Sequence, residues 1–207
     1  MARTPQDPQV RINEILDVAD ELFFSKGYQA TTISDISKKM GVAQGMLYYY
    51  FKSKEALLES LLDRYAASLV QEVKVIFTAG QSPTAKITLT VSALLRKAAY
   101  KDGLLLKMLY DDQNLHLKMQ LFNQLEAALS PWLLRMVEEG AANGEFVVAH
   151  PPTAVDYILV MVDFLSLALY QKISDEVLSY RLQMAQTLLE KTLGAKEGSI
   201  VLLDVKL

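Results

Sequence analysis

The sequence predicts an all-α protein: an N-terminal three-helix domain built around a helix-turn-helix, followed by a larger helical domain. Three observations carry that prediction. Apolar residues recur at intervals of three and four along nearly the whole chain, and strand-like alternation is nearly absent. Glycine and proline are sparse, at nine and six in 207 residues, so few positions force a helix to stop. Between residues 32 and 54, two short helical segments flank a glycine turn.

The elements follow in order. Ile12, Ile15, Leu16, Ala19, Leu22 and Phe23 mark one face of a first helix that ends near Lys26, with Gly27 as its stop. A second helix fits Ile33 to Met40: Thr32 is placed to cap it, and Asp35 falls in its first turn, where a negative charge suits the helix dipole. Gly41 turns the chain into a third helix over Gln44 to Tyr50. A fourth starts after Ser53, itself a plausible cap, and runs to about Phe77. Further helices are expected at about 84–100, 104–110, 113–142, 152–172 and 175–193, with Pro131 kinking or splitting the third of these. The tail after 195 holds an apolar run at Ile200 to Leu203 that strand, helix or a docked extension would each satisfy.

Composition bounds the function. The chain is 51% hydrophobic with a mean hydropathy of +0.16, which leaves apolar surface for a partner or a ligand. It has no cysteine, hence no disulfide and no thiolate metal site. The start "MARTPQDPQV" lacks a signal-peptide core, and the apolar run 157–170 is about 14 residues with Asp163 inside it, short of the roughly 20 that span a bilayer. These features predict a cytoplasmic protein without membrane association. The net charge is −3, yet residues 32–54 hold four lysines against one acid, while residues 55–207 hold 14 bases against 18 acids. A small positive face on an acidic body fits a localised nucleic-acid contact.

The stretch "GVAQGMLYYYF", residues 41–51, sharpens this. Three successive tyrosines step around a helix by 100° each, so they cannot all be core, and outward phenols need a reason. In a helix-turn-helix the second helix enters the major groove N-terminus first, presenting Gln44, Gly45 and Met46 to base edges. Gly45 would let the backbone approach closely, and Gln44 can pair with an adenine edge. Tyr48, Tyr49 and Tyr50 can donate to phosphate oxygens while their rings pack on sugars, and Lys54 adds a cation at the next helix start. Packing of the same aromatics between the first and fourth helices is the plain structural alternative.

"TTISDISKKMGVAQGMLYYYFKSKEALL", with "ILDVADELFFSKGYQATT" before it, resembles the DNA-binding domain of the tetracycline-repressor (TetR) family over about residues 10–60. The resemblance implies a regulator with a DNA-binding domain at 1–52 and an effector-binding and dimerisation domain at 53–207. It implies that Thr32 and Ser34 touch phosphate, with a base contact as a further option, and that Gln44, Gly45 and Met46 face bases. Tyr48, Tyr49, Tyr50 and Lys54 would hold phosphates. Two positions depart from the family pattern: Ala43 stands where a Ser or Thr is common, and Met46 where a small polar residue is common. A methionine suits a thymine methyl better than a hydrogen-bonding edge.

One short recognition helix makes few base contacts, so two copies on a palindrome are expected, with half-sites about 34–36 Å apart or a multiple of this. The segment 153–172 is apolar nearly all round. By resemblance, it and the helix 175–193 would form a four-helix bundle with their symmetry mates. Met108, Asp112, Trp132, Met136, Tyr157, Met161 and Phe164 are candidate linings for an apolar or amphipathic small-molecule effector. Asp163, with Asp156 nearly on its face, needs a partner if buried: a cationic ligand, or a base across the dimer. Asp112 and His116 are spaced i, i+4, but two ligands without a third make no metal site. His150 reads as a solvated loop residue. No nucleophile–base pair or phosphate loop supports an enzyme, and no cofactor is implied. The whole predicts a dimeric, ligand-released repressor of a palindromic operator. An activator without an effector, or a helical interaction module, is the alternative.

Overall fold

The computed structural model describes residues 7–110 and 115–202, with backbone alone at 101 and 102. The described residues form eight helices and no strand: α1 Pro8–Lys26, α2 Ile33–Met40, α3 Gln44–Tyr50, α4 Lys54–Thr78, α5 Pro83–Leu109, α6 Leu115–Ala142, α7 Pro151–Tyr170 and α8 Asp175–Leu193. The all-α expectation holds.

The chain divides into two compact units, up to Tyr65 and from Ala66. The division falls inside α4 because the first half of that helix completes the N-terminal core. Leu57, Leu58 and Leu61 are fully buried, as are Ile15, Ala19 and Phe23 of α1, Ile36 of α2 and Leu47 of α3. α1 begins earlier than its apolar stripe suggests. Asp7 caps it by accepting from the Gln9 amide, and Pro8 occupies the first helical position, where its missing N–H costs nothing. Charged pairs link the helices of this unit: Lys26 to Asp35 at 2.7 Å, Arg64 to Asp17 at 2.7 Å, and Lys39 to Glu21. The Tyr65 hydroxyl donates to the buried Asp20 carboxylate.

In the second unit α5 packs against α6 and α7, and α7 against α8. Two expected helices at 84–100 and 104–110 are one continuous α5. Within it Gly103 has a φ of +68°, a left-handed value that side-chain-bearing residues rarely adopt. α6 likewise continues through Pro131. α7 is 20 residues long and apolar enough, by length and composition, to cross a bilayer, which the 14-residue run did not suggest. One face of it is core, with Val155, Ile158, Leu165 and Ala168 buried. The tail is a docked extension as far as it is described. The amides of Ile200 and Leu202 donate to the Glu190 and Gln186 side chains of α8 at 2.9 and 2.6 Å, and both residues are buried.

Candidate functional site

The helix-turn-helix is set by local chemistry. Thr32 caps α2 in a reciprocal box: its hydroxyl accepts from the Asp35 amide at 3.1 Å, and its own amide donates to Asp35 Oδ2 at 2.8 Å. The Lys26 ammonium, then the Thr32 hydroxyl and amide, hold the Asp35 carboxyl far below the usual carboxylate range. Gly41 ends α2 in the left-handed conformation, and the Val42 amide closes the turn on the Ser37 carbonyl at 3.0 Å. α3 then starts from Ala43 with no side-chain cap, as its missing hydroxyl requires.

The two helices of the motif have the bounds read from the sequence. Leu47 and Phe51 are the inward residues of the aromatic stretch. Tyr49 is 76% exposed and Tyr48 43%, while Tyr50 is half-buried with its ring edge-on to Tyr49 at 5.0 Å. Three phenols at 100° steps therefore divide between two outward rings and one at the margin. Gln44 and Gly45 are exposed and Met46 half-buried. A methyl group placed at Gly45 would meet nothing within 4 Å, so nothing inside this unit requires a glycine there.

Two expected contacts, Thr32 and Lys54, carry structural duties here. Thr32 spends its hydroxyl on the cap, and Ser34 is half-buried beside it. Lys54 donates to the carbonyls of Tyr28 and Gln29 at 2.9 and 3.2 Å, with its ammonium 4.3 Å from the Tyr28 ring centroid. Periodicity does not reveal that engagement, because the carbonyls lie 25 and 26 residues away in sequence. Lys38 and Lys52 are exposed on this unit.

The second unit encloses a cavity of about 130 Å³ between α5, α6 and α7, with Leu69 of α4 in its wall. Leu94, Leu106, Leu121, Leu129 and Leu159 make it apolar. At its polar margin, Lys118 Nζ lies 3.7 Å from Asp163 Oδ1 and 3.9 Å from the Tyr110 ring centroid. The Tyr110 hydroxyl donates to Asp163 Oδ1 at 3.5 Å, and the ring stacks on Tyr170 at 4.6 Å. Burial pushes the Tyr110 phenol up from its ordinary value.

Among the described residues, none of the expected lining residues lies in that wall. Met136 is fully buried in the main core, and Met108 is also buried. Trp132 packs edge-on against Phe77 at 5.3 Å, and Met161 is half-buried against the core. Tyr157 and Phe164 point outward, 64% and 51% exposed. Asp112 lies outside the described residues. The residue types were plausible, but a helix has several faces and packing chose the leucine faces for the cavity. A signal did exist. Lys118 shares the i, i+3, i+7, i+11 stripe of Leu121, Leu125 and Leu129, and Asp163 shares that of Leu159 and Ser166. Asp163 finds its partners within the chain, while Asp156 is exposed. His150 is the N-cap of α7, accepting from the Thr153 amide at 3.3 Å. Among the described residues no group of three metal-ligating side chains assembles.

A helix-turn-helix on a three-helix core, followed by a helical unit enclosing an apolar cavity, is the arrangement of a bacterial transcriptional regulator. Residues 15–61 match the model of bacterial regulatory proteins of the tetR family, so this segment carries that family's DNA-binding domain. It is 29% identical over 160 residues to the HTH-type transcriptional repressor KstR2 of Mycolicibacterium smegmatis, covering 75% of each chain. The fold matches that of a TetR transcription regulator from Haloarcula marismortui, with a TM-score of 0.73 at 20% identity over 90% of this chain and 97% of that one. It also matches the regulator FadR of Bacillus subtilis, solved in complex with stearoyl-CoA, with a TM-score of 0.65 at 23% identity over 89% and 99%.

Proposed function

We propose that this transcriptional regulator is a repressor that binds a palindromic operator as a homodimer and is released by an amphipathic small molecule. Gln44, Gly45 and Met46 would face bases. Tyr48 and Tyr49, with Tyr50 at the margin, would hold phosphates alongside the lysines of this unit.

The observation that carries the effector part is the apolar cavity of the second unit with charged groups at one margin. That FadR of Bacillus subtilis was solved with stearoyl-CoA supports a ligand of acyl type. An effector acts only through different affinities for the DNA-competent and incompetent states, and α4, which contributes to both units, is the element on which such a difference can act. The dimer reading is supported by an exposed apolar stripe: Tyr157, Val160 and Phe164 on α7 at i, i+3, i+7, and Val177, Tyr180 and Met184 on α8 at the same spacing. An isologous interface would cover both.

The test is selection of bound duplexes from a random pool, then titration of the enriched sequence at two salt concentrations, with and without a long-chain acyl ligand. A palindrome, a steep salt dependence and a weaker complex with ligand are expected. Ligand binding that leaves operator affinity unchanged would sink the effector part, and failure to enrich any duplex would sink the operator part.

A further inference from the structure

We propose that the effector carries an anionic head, a carboxylate or a phosphate, and that this head replaces Asp163 as the partner of Lys118. The inference rests on the reading of the cavity as the effector site and names the chemistry that site selects.

Six polar side chains line the cavity: Lys97, Tyr110, Lys118, Glu126, Asp163 and Ser166. The formal charges cancel, so position decides. The Lys118 side chain is 23% exposed against 42% for Asp163, Lys97 is half-buried, and Glu126 is exposed. The bases sit inward and the acids toward water. A head group arriving with an apolar tail in the cavity therefore meets positive charge where solvent screens it least.

The resting contacts are loose. Lys118 stands 3.7 Å and the Tyr110 hydroxyl 3.5 Å from Asp163 Oδ1, both longer than the roughly 2.7–3.2 Å of a well-made hydrogen bond. Asp163 can turn to water without stranding a charge, leaving the ammonium and the phenol as two donors. With its pKa raised by burial, Tyr110 keeps its proton at neutral pH. A cationic head is the poorer fit, because the place against the Tyr110 ring and the carboxylate already holds the Lys118 ammonium.

Calorimetric titration of the full chain with four twelve-carbon probes below their micelle thresholds tests this: dodecanoate, dodecyl phosphate, 1-dodecanol and dodecyltrimethylammonium. An anion should bind about tenfold or more tighter than the alcohol, and which anion binds better identifies the head. Asp163→Asn removes the internal competitor, so it should tighten anion binding several-fold and leave the alcohol unchanged. Lys118→Met should bring the anions down to the alcohol's affinity, while Lys118→Arg should retain the preference. Should Lys118→Met fail to fold, the Asp163→Asn and Lys118→Arg arms decide. Equal binding of alcohol and anions, tightest binding of the ammonium, or weaker anion binding in Asp163→Asn would overturn the head-group inference and leave the cavity reading standing. Saturable binding by none of the four would remove the cavity as the effector site.

Discussion

Lys54 donates to the Tyr28 carbonyl at 2.9 Å and holds its ammonium 4.3 Å from the Tyr28 ring centroid. One lysine at the start of α4 thus pins the connection between α1 and α2, whose far end is the Thr32 cap. Charge-assisted hydrogen bonds of this kind each contribute about 1.5–3 kcal/mol. We expect Lys54→Ala to lower the stability of the N-terminal unit by about 1–3 kcal/mol. The slope of log affinity against log salt should change by less than the 0.9 expected per lost phosphate contact. Lys52→Ala should show the opposite pattern. Denaturant melts and operator titrations at several salt concentrations separate the two.

Gly45 separates a structural from a DNA-facing role for α3. With nothing within 4 Å of an added methyl group, Gly45→Ala should leave the fold intact and stabilise the helix by about 0.5–1 kcal/mol. If base edges lie against this position, operator affinity should nonetheless fall by about tenfold, or 1.4 kcal/mol. Unchanged affinity would place the DNA elsewhere.

Asp35 makes the N-terminal unit acid-sensitive. Lys26 and Thr32 depress its pKa from the ordinary 3.8, so folding is favoured by its ionised form. That contribution is complete above the unfolded value and is lost as the pH falls below about 3.8 towards the folded value. Thermal melts between pH 2 and pH 6, values chosen at about two units either side of the ordinary carboxylate pKa, should show the wild type losing stability more steeply than Asp35→Asn on acidification. Parallel curves would remove the capping carboxylate from the account.

The stripe on α7 and α8 gives a clean test of the dimer. Met184 is 61% and Tyr180 63% exposed in the single chain, so a charge at either costs the monomer fold little, within about 0.5 kcal/mol. Met184→Glu and Tyr180→Glu should convert a dimer to a monomer in sedimentation analysis, with unchanged helical circular dichroism, and weaken operator binding. A wild-type chain already monomeric at micromolar concentration would refute the arrangement.

The sequence by itself determined the helix-turn-helix, because its determinants are local. The Thr32–Asp35 box, the left-handed Gly41 and the placement of Leu47 and Phe51 each involve residues within a few positions of one another, and the bounds of α2 and α3 follow from them. The same holds for α8, fixed by the Ser174 cap and Gly194. Tertiary structure alone decided the rest. Whether Lys54 serves a phosphate or the carbonyls of Tyr28 and Gln29 depends on where a chain 25 residues away passes. The cavity fell to leucine faces rather than to methionines and aromatics because three helices must each surrender one face to a shared space, and periodicity identifies the apolar faces of a helix without saying which neighbour each will meet. The pairing of Asp163 with Lys118 and Tyr110 has the same origin. Asp163 lies on α7, Lys118 on α6 and Tyr110 just past the end of α5, and only packing brings a carboxylate, an ammonium and a phenol to the margin of one apolar cavity.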